Sequence, residues 1–190
     1  SDRQQRDALA ARGYWQAFQE VKKAIERVLK GENPGVVADE VHQTWYRELF
    51  SPSVTAGIIK ASDLAGYRNQ LVYIRRSKHV PPNMDAVKDL MPAFFDLLTN
   101  EPHPAVRAVL GHFIFVYIHP YIDGNGRLGR FLMNLFLASG GYPWTIIPLT
   151  KRHEYLSSLE VASTQGDIKA FATFLAELIA SQEASTGVRL

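Results

Sequence analysis

The sequence predicts an all-α domain interrupted once by a short extended segment, and three observations carry that expectation. Apolar residues recur at helical spacing along most of the chain. Glycine and proline divide those runs into helix-sized pieces. β-Branched and aromatic residues cluster in an extended pattern only between Tyr67 and Pro82. With 190 residues, 46% of them hydrophobic, the chain suits one domain over 1–190 that buries roughly 70% of its unfolded surface. Its helical core spans about 4–180 and its flap about 67–82.

The elements follow in order. Leu9, Tyr14, Phe18, Val21, Ile25 and Leu29 form a helical stripe over residues 5–29, stopped by Gly31 and Pro34. A second helix runs from Val36 to Leu49 and ends at Ser51-Pro52. Between Met84 and Leu98 the apolar positions Val87, Leu90, Met91, Phe94, Phe95 and Leu98 predict a third. Pro104 opens a fourth, carrying Val109, Leu110, Phe113, Val116 and Tyr117. The strongly apolar RLGRFLMNLFLA, Arg127 to Ala138, belongs at the centre and stops at Gly140-Gly141. Helices over His153–Ala162 and Ile168–Ile179, the latter capped by Asp167, complete the set.

The exception is YRNQLVYIRRSKHVPP. Leu71-Val72-Tyr73-Ile74 favours extended structure, and a polar turn with two prolines follows, which predicts a short β-hairpin flap. Arg68, Arg75, Arg76 and Lys78 lie in it with no acid among them. They suit either a solvated edge protected by charge or a platform for an anionic ligand or extended peptide.

Bulk composition narrows the function classes. Twenty-one Lys+Arg against 19 Asp+Glu leave a formal charge of +2, too balanced for a general nucleic-acid or membrane binder, so no direct nucleic-acid binding is expected. The absence of cysteine removes disulfides, zinc–thiolate sites and thiol catalysis. Without a signal pattern or a membrane-length apolar run, the chain reads as soluble and cytoplasmic.

The chemistry concentrates in HPYIDGNGRLGR, residues 119–130. Asp-Gly and Asn-Gly pairs are ordinary turn formers, so DGNG alone could be a connection. Placed directly before a helix, however, its glycines let backbone N–H groups converge on an anion, aided by the helix dipole. Arg127 and Arg130 sit in the first turn of that helix, where cations oppose the dipole and a bound phosphate would offset the repulsion. Asp123 could hold a divalent cation alongside phosphate oxygens. His119 could simply cap the preceding helix, or, as a neutral imidazole beside a phosphate, accept a proton from an attacking hydroxyl.

This stretch resembles the signature of the Fic family, His-Pro-Phe-two residues-Gly-Asn-Gly-Arg-two residues-Arg, with Tyr121 in place of phenylalanine. AGYRNQLVYIRRSKHVPP, LMNLFLASGGYP and LEVASTQGD resemble the family's flap and the segments after its catalytic loop. The resemblance implies the Fic fold, a helical bundle around a central helix pair with a β-hairpin flap. It further implies transfer of AMP from ATP to a Ser, Thr or Tyr hydroxyl of a target protein. On that basis His119 is the general base and Asp123 the Mg²⁺ ligand. Gly124, Asn125, Gly126 and Arg127, with Leu128 and Gly129 in the same loop, form the phosphate cradle, and Arg130 grips the γ-phosphate. Val72, Tyr73, Ile74 and Arg75 would pair with an extended segment of the target. Arg76, Ser77, Lys78 and His79, with Tyr155 and Leu156, would approach the nucleotide.

Alternatives stay open at this level. Transfer of UMP or phosphocholine, or a non-catalytic nucleotide-responsive regulatory module, would use the same anion loop. Kinase relatives carry lysine at the Gly126 position, which is absent here. The family's inhibitory motif, Ser/Thr-three residues-Glu-Gly/Asn, is also absent. Thr44 with Glu48-Leu49 and Thr173 with Glu177-Leu178 have the acid but the wrong following residue. The chain is therefore expected to be the core of a longer protein whose inhibitory helix comes from upstream sequence or a separate chain. A homo-oligomer is compatible with all of this.

Overall fold

A computed structural model describes residues 2–186, and their side chains through residue 184. Seven α-helices follow in order: α1 (Asp2–Leu29), α2 (Pro34–Thr55), α3 (Met84–Asn100), α4 (Pro104–Ile118), α5 (Asn125–Ser139), α6 (Arg152–Gln165) and α7 (Lys169–Thr186). Single 3-10 turns lie at Ala61–Leu64 and Leu149–Lys151.

Helices α1 and α2 form a hairpin because small residues let their backbones meet. The buried face of α1 is Gly13, Ala17, Val21, Ala24 and Val28. A Cβ on Gly13 would stand 2.0 Å from the Leu49 carbonyl oxygen. The expected apolar stripe therefore marks the flank of the buried face: Val21 lies in the seam, whereas Tyr14 and Leu29 remain 41% and 66% exposed. The hairpin is closed by Arg27, which reaches Glu32 and Glu40 at 2.6 Å. Asn33 caps α2 through Gly35 N–H at 2.9 Å and holds the Thr99 carbonyl of α3 at 3.1 Å.

Helix α2 does not stop at Ser51-Pro52 as expected but continues to Thr55. Pro52 removes one N–H from the ladder, and the carbonyl of Glu48 four residues earlier is met by the Ser51 hydroxyl at 3.4 Å.

Helices α4 and α5 form the central pair. Gly111 of α4 faces Phe136 of α5, and Gly129 of α5 faces His112 and Val116 of α4, so each backbone receives the other's bulk. Leu128, Phe131, Leu132, Met133, Leu135, Phe136 and Leu137 are fully buried, as the apolarity of α5 predicted. Arg107 ties three helices together: it donates to the Leu98 carbonyl at 2.9 Å, to the Glu101 carbonyl, and to the Ser139 hydroxyl at 3.4 Å. A second, smaller core of Tyr155, Phe171, Phe174 and Leu178 seats α6 and α7 against α4. Asp167 accepts the Lys169 N–H at 2.9 Å at the start of α7. Among the described residues no helix is long and apolar enough to cross a membrane.

The flap departs from expectation. No β-strand forms among the described residues, and 71–74 has no regular secondary structure and is followed by a turn closed by Ser77 N–H to the Ile74 carbonyl at 3.1 Å. The return limb explains this. Pro81 and Pro82 have no N–H to donate, and the His79 N–H is taken by Ser77 Oγ at 3.0 Å, so a ladder lacks donors.

Gly13→Ala forces a methyl group into the α2 backbone and should lower stability by about 1–3 kcal/mol, read by urea unfolding. An unchanged midpoint would mean that the seam is looser than described.

Candidate active site

His119 ends α4 in the left-handed region, with φ 54° and ψ 58°. A non-glycine residue there costs about 1–2 kcal/mol, so surrounding bonds must hold it. They come from Arg68. Its Nε donates to the His119 carbonyl at 2.7 Å, Nη1 to the Gln70 carbonyl at 3.0 Å, and Nη2 to the carbonyls of Pro82 and, at 3.3 Å, Ile118. The Arg68 N–H adds a bond to the Pro120 carbonyl at 2.9 Å. At 4% exposure Arg68 is structural, unlike the solvated or ligand-binding cation that its basic neighbourhood suggested.

The imidazole of His119 is oriented from its own helix. Nδ1 lies 3.1 Å from the Val116 carbonyl. A carbonyl can only accept, so Nδ1 carries the proton and Nε2 presents a lone pair. Burial, reinforced by Arg68 and His79 and opposed by the Val116 carbonyl and Asp123, holds the pKa below the usual histidine range. The ring is therefore neutral at physiological pH.

The loop turns on Asn125. Its Oδ1 accepts the Tyr121 N–H at 3.0 Å and its Nδ2 donates to the Tyr121 carbonyl at 2.8 Å. The side chain is thus spent on shaping the loop; only its backbone N–H faces the helix start. Gly124, at φ 86°, is the left-handed residue before α5, and Phe50 fills the space beside it. The first intrahelical bond runs from Leu128 N–H to the Gly124 carbonyl at 3.0 Å, so the N–H groups of Asn125, Gly126 and Arg127 precede the ladder. Leu128 is core, and Gly129 is pressed against His112 and Val116. Neither presents a side-chain position to the loop.

Asp123 caps the turn through Gly124 N–H at 2.6 Å and pairs with Arg127 at 3.3 Å. Arg127 also stacks over Phe50 at 5.1 Å. Arg130 pairs with no carboxylate among the described residues, and a Cβ on Gly126 would lie 3.4 Å from its Nη1. Among those residues no three His, Cys, Asp or Glu side chains form a metal cage. Asp123, 72% exposed, offers one carboxylate beside the N–H groups that precede the α5 ladder. Mg²⁺ is commonly held by one or two carboxylates plus phosphate oxygens, so the residue fits that role.

The remaining expected residues divide. Tyr73 and Arg75 are exposed, Val72 and Ile74 half-buried, and Arg76 adopts φ 64° at the tip. Ser77 and Lys78 bond to Glu160. His79 is buried, donates Nε2–H to the Tyr117 carbonyl at 2.9 Å and stacks on that ring at 4.1 Å. Tyr155 lies in the small core with its hydroxyl 2.7 Å from His112 Nε2, while Leu156 is exposed. The sequence marks Arg68 only as a flap cation and leaves His112 and Glu160 unmarked, since the role of each is defined by partners distant along the chain.

Fold and loop together define an all-helical protein whose central helix pair is joined by a histidine-headed, glycine-rich loop. The chain belongs to the Fic/DOC family, whose model matches residues 38–137. It is 35% identical over 161 residues to the protein adenylyltransferase Fic of Nematostella vectensis, covering 83% of this chain and 35% of that protein. It is 43% identical over 115 residues to the protein adenylyltransferase Fic of Drosophila willistoni, covering 58% and 22%. The chain spans about a third or less of the length of these curated relatives. Fic-1 (residues 134–508) from C. elegans superposes with a TM-score of 0.76 at 26% identity, over 94% of this chain and 50% of that one. A Fic domain containing signaling protein from Bacteroides thetaiotaomicron shares the fold, with a TM-score of 0.67 at 17% identity over 93% and 74%.

Tyr121, 1% exposed and stacked on Tyr46 at 3.8 Å, has no hydrogen-bond partner for its hydroxyl among the described residues. Tyr121→Phe should therefore raise unfolding free energy by about 1 kcal/mol with the loop intact; a loss would reveal a hidden partner. Burial, with Arg130 acting in the same direction and the Gly129 backbone against it, pushes His112 down to about 4. As pH falls below about 6.5 the unfolded chain takes up this proton first, so stability is complete above that pH. Between about 6.5 and 4 it declines at up to ~1.4 kcal/mol per unit, a slope that His112→Gln should flatten in pH-dependent urea titrations.

Proposed function

We propose that this domain transfers AMP from ATP to a Ser, Thr or Tyr hydroxyl of a target protein. The observation that carries the reading is the neutral His119 ring, whose Nδ1–H is committed to the Val116 carbonyl, leaving Nε2 as acceptor. The family and the names of its relatives support the same reaction.

The target oxygen attacks the α-phosphorus, its proton passes to His119 Nε2, and the bond to the bridging oxygen breaks to release pyrophosphate. The N–H groups of Asn125, Gly126 and Arg127 receive phosphate oxygens at the positive end of α5. Arg130 meets the terminal phosphate as a planar donor fork. Asp123 would hold Mg²⁺, which when bound neutralises phosphate charge. Val72 to Arg75 receive the target as an extended segment, using backbone groups that lack a ladder of their own. Leu156 and the flap tip border the nucleotide, whereas the burial of Tyr155 gives it a supporting part beneath that surface. With little covalent chemistry for the protein to perform, positioning and charge neutralisation supply most of the acceleration.

Incubation with labelled ATP, Mg²⁺ and cell lysate should label protein. His119→Ala should reduce the rate by roughly two to four orders of magnitude, and binding without label transfer would favour a nucleotide-responsive module instead. Because the base is active when neutral and its pKa lies below the ordinary 6.5, the acid limb of kcat/KM should fall below about pH 6.5.

A further inference from the structure

Glu160 of α6 is committed to the flap by both carboxylate oxygens. Oε2 accepts the Ser77 hydroxyl at 2.5 Å and Oε1 accepts the Lys78 N–H at 2.7 Å. Ser77 Oγ accepts the His79 N–H at 3.0 Å, so one side chain organises the whole tip. The tip needs such a hold. It contains Arg76 at φ 64°, a conformation that side-chain-bearing residues adopt reluctantly, and the preceding 71–74 has no ladder, with Leu71 60% and Tyr73 75% exposed. At its base the segment is tied down by Arg68, and past the tip by His79 on Tyr117. Between those points Glu160 supplies the tertiary side-chain anchor. Bonds from N–H and O–H to an ionised carboxylate are among the stronger ones available for the task.

Position on α6 gives the anchor its consequence. Leu156 lies four residues before Glu160, so the two share one helix face. The surface proposed to border the nucleotide and the grip on the target-receiving segment are therefore parts of one rigid element.

We infer that Glu160 is a positioning residue, a latch that holds the 71–78 flap in the posture that receives the target. The structural half of this inference stands alone; the functional half rests on the transfer reading above.

Amide hydrogen exchange on the unliganded protein tests the latch without requiring activity. Glu160→Ala should exchange roughly tenfold faster across residues 71–79, with the helices unchanged, and Glu160→Gln, which keeps one acceptor oxygen, should fall between. Ser77→Ala should loosen the same residues, and adding it to Glu160→Ala should contribute little more, because the two share a bond. Flap exchange in Glu160→Ala equal to the parent's overturns the latch. For function, a His119→Ala copy of this chain serves as the substrate protein. Its KM should rise several-fold in Glu160→Ala while kcat at saturating substrate stays near the parent's; a fall in kcat with unchanged substrate KM overturns the positioning role. A parent that labels nothing would defeat the transfer reading, and the exchange result would still decide the latch.

Discussion

The site depends on a buried cation satisfied by backbone alone. Arg68 has no carboxylate partner among the described residues; it meets four carbonyls, two of them, from Ile118 and His119, at the C-terminal end of α4. Those carbonyls are the orphan acceptors every helix leaves, and they carry the negative end of its dipole. Desolvation lowers the arginine's pKa without neutralising it, since a guanidinium starts so high. A buried charge and buried orphan acceptors, each unfavourable alone, thus resolve one another. The bond that does so also fixes His119 in its left-handed conformation, and with it the direction in which Nε2 points.

Arg107 repeats the device at the other end of α4, where it gathers carbonyls from Leu98 and Glu101. Between these two clamps the helix packs by exchange of bulk for glycine: Gly111 receives Phe136, and Gly129 receives His112 and Val116. Such contacts leave little freedom to slide, because a shift of one residue would set side chain against side chain. The end of α4 and the start of α5 are accordingly held in register, as the proposed transfer would need.

Much of this was legible along the chain because it is local. Helical periodicity located all seven helices, and the run from His119 to Arg130 announced its turn, its cations and its acid without any partner. What stayed hidden was relational. Arg68 looked like one more flap cation; only the fold shows that it reaches Ile118 and His119, some fifty residues on. Glu160 and His112 sat in ordinary helical sequence with no spacing to mark them. The α1 seam was obscured for a different reason. Apolar periodicity weights large residues, whereas the closest approach is made at Gly13, on a buried face that also carries Ala17. The hairpin was overread from the β-propensity of 71–74, which cannot supply a partner strand when the return limb holds two prolines.

Cations in the first two turns of α5, Arg127 in the first and Arg130 in the second, pose an electrostatic problem that the loop answers unevenly. Asp123 lies where a helix start favours an acid, bonds the Gly124 N–H, and pairs with Arg127, whose guanidinium also rests on Phe50. That arginine is compensated within the protein. Arg130, one turn on, has no such acid among the described residues, and its charge acts on Tyr14, His112 and Tyr155 around it. It depresses the tendency of His112 to take a proton and opposes the rise that burial imposes on the tyrosine hydroxyls. An anion arriving at the loop therefore gains more from Arg130 than from Arg127, where it must compete with a carboxylate already in place. The asymmetry gives the two motif arginines different surroundings: Arg127 braces the turn, and Arg130 is left available for the terminal phosphate that the proposed transfer would bring to it.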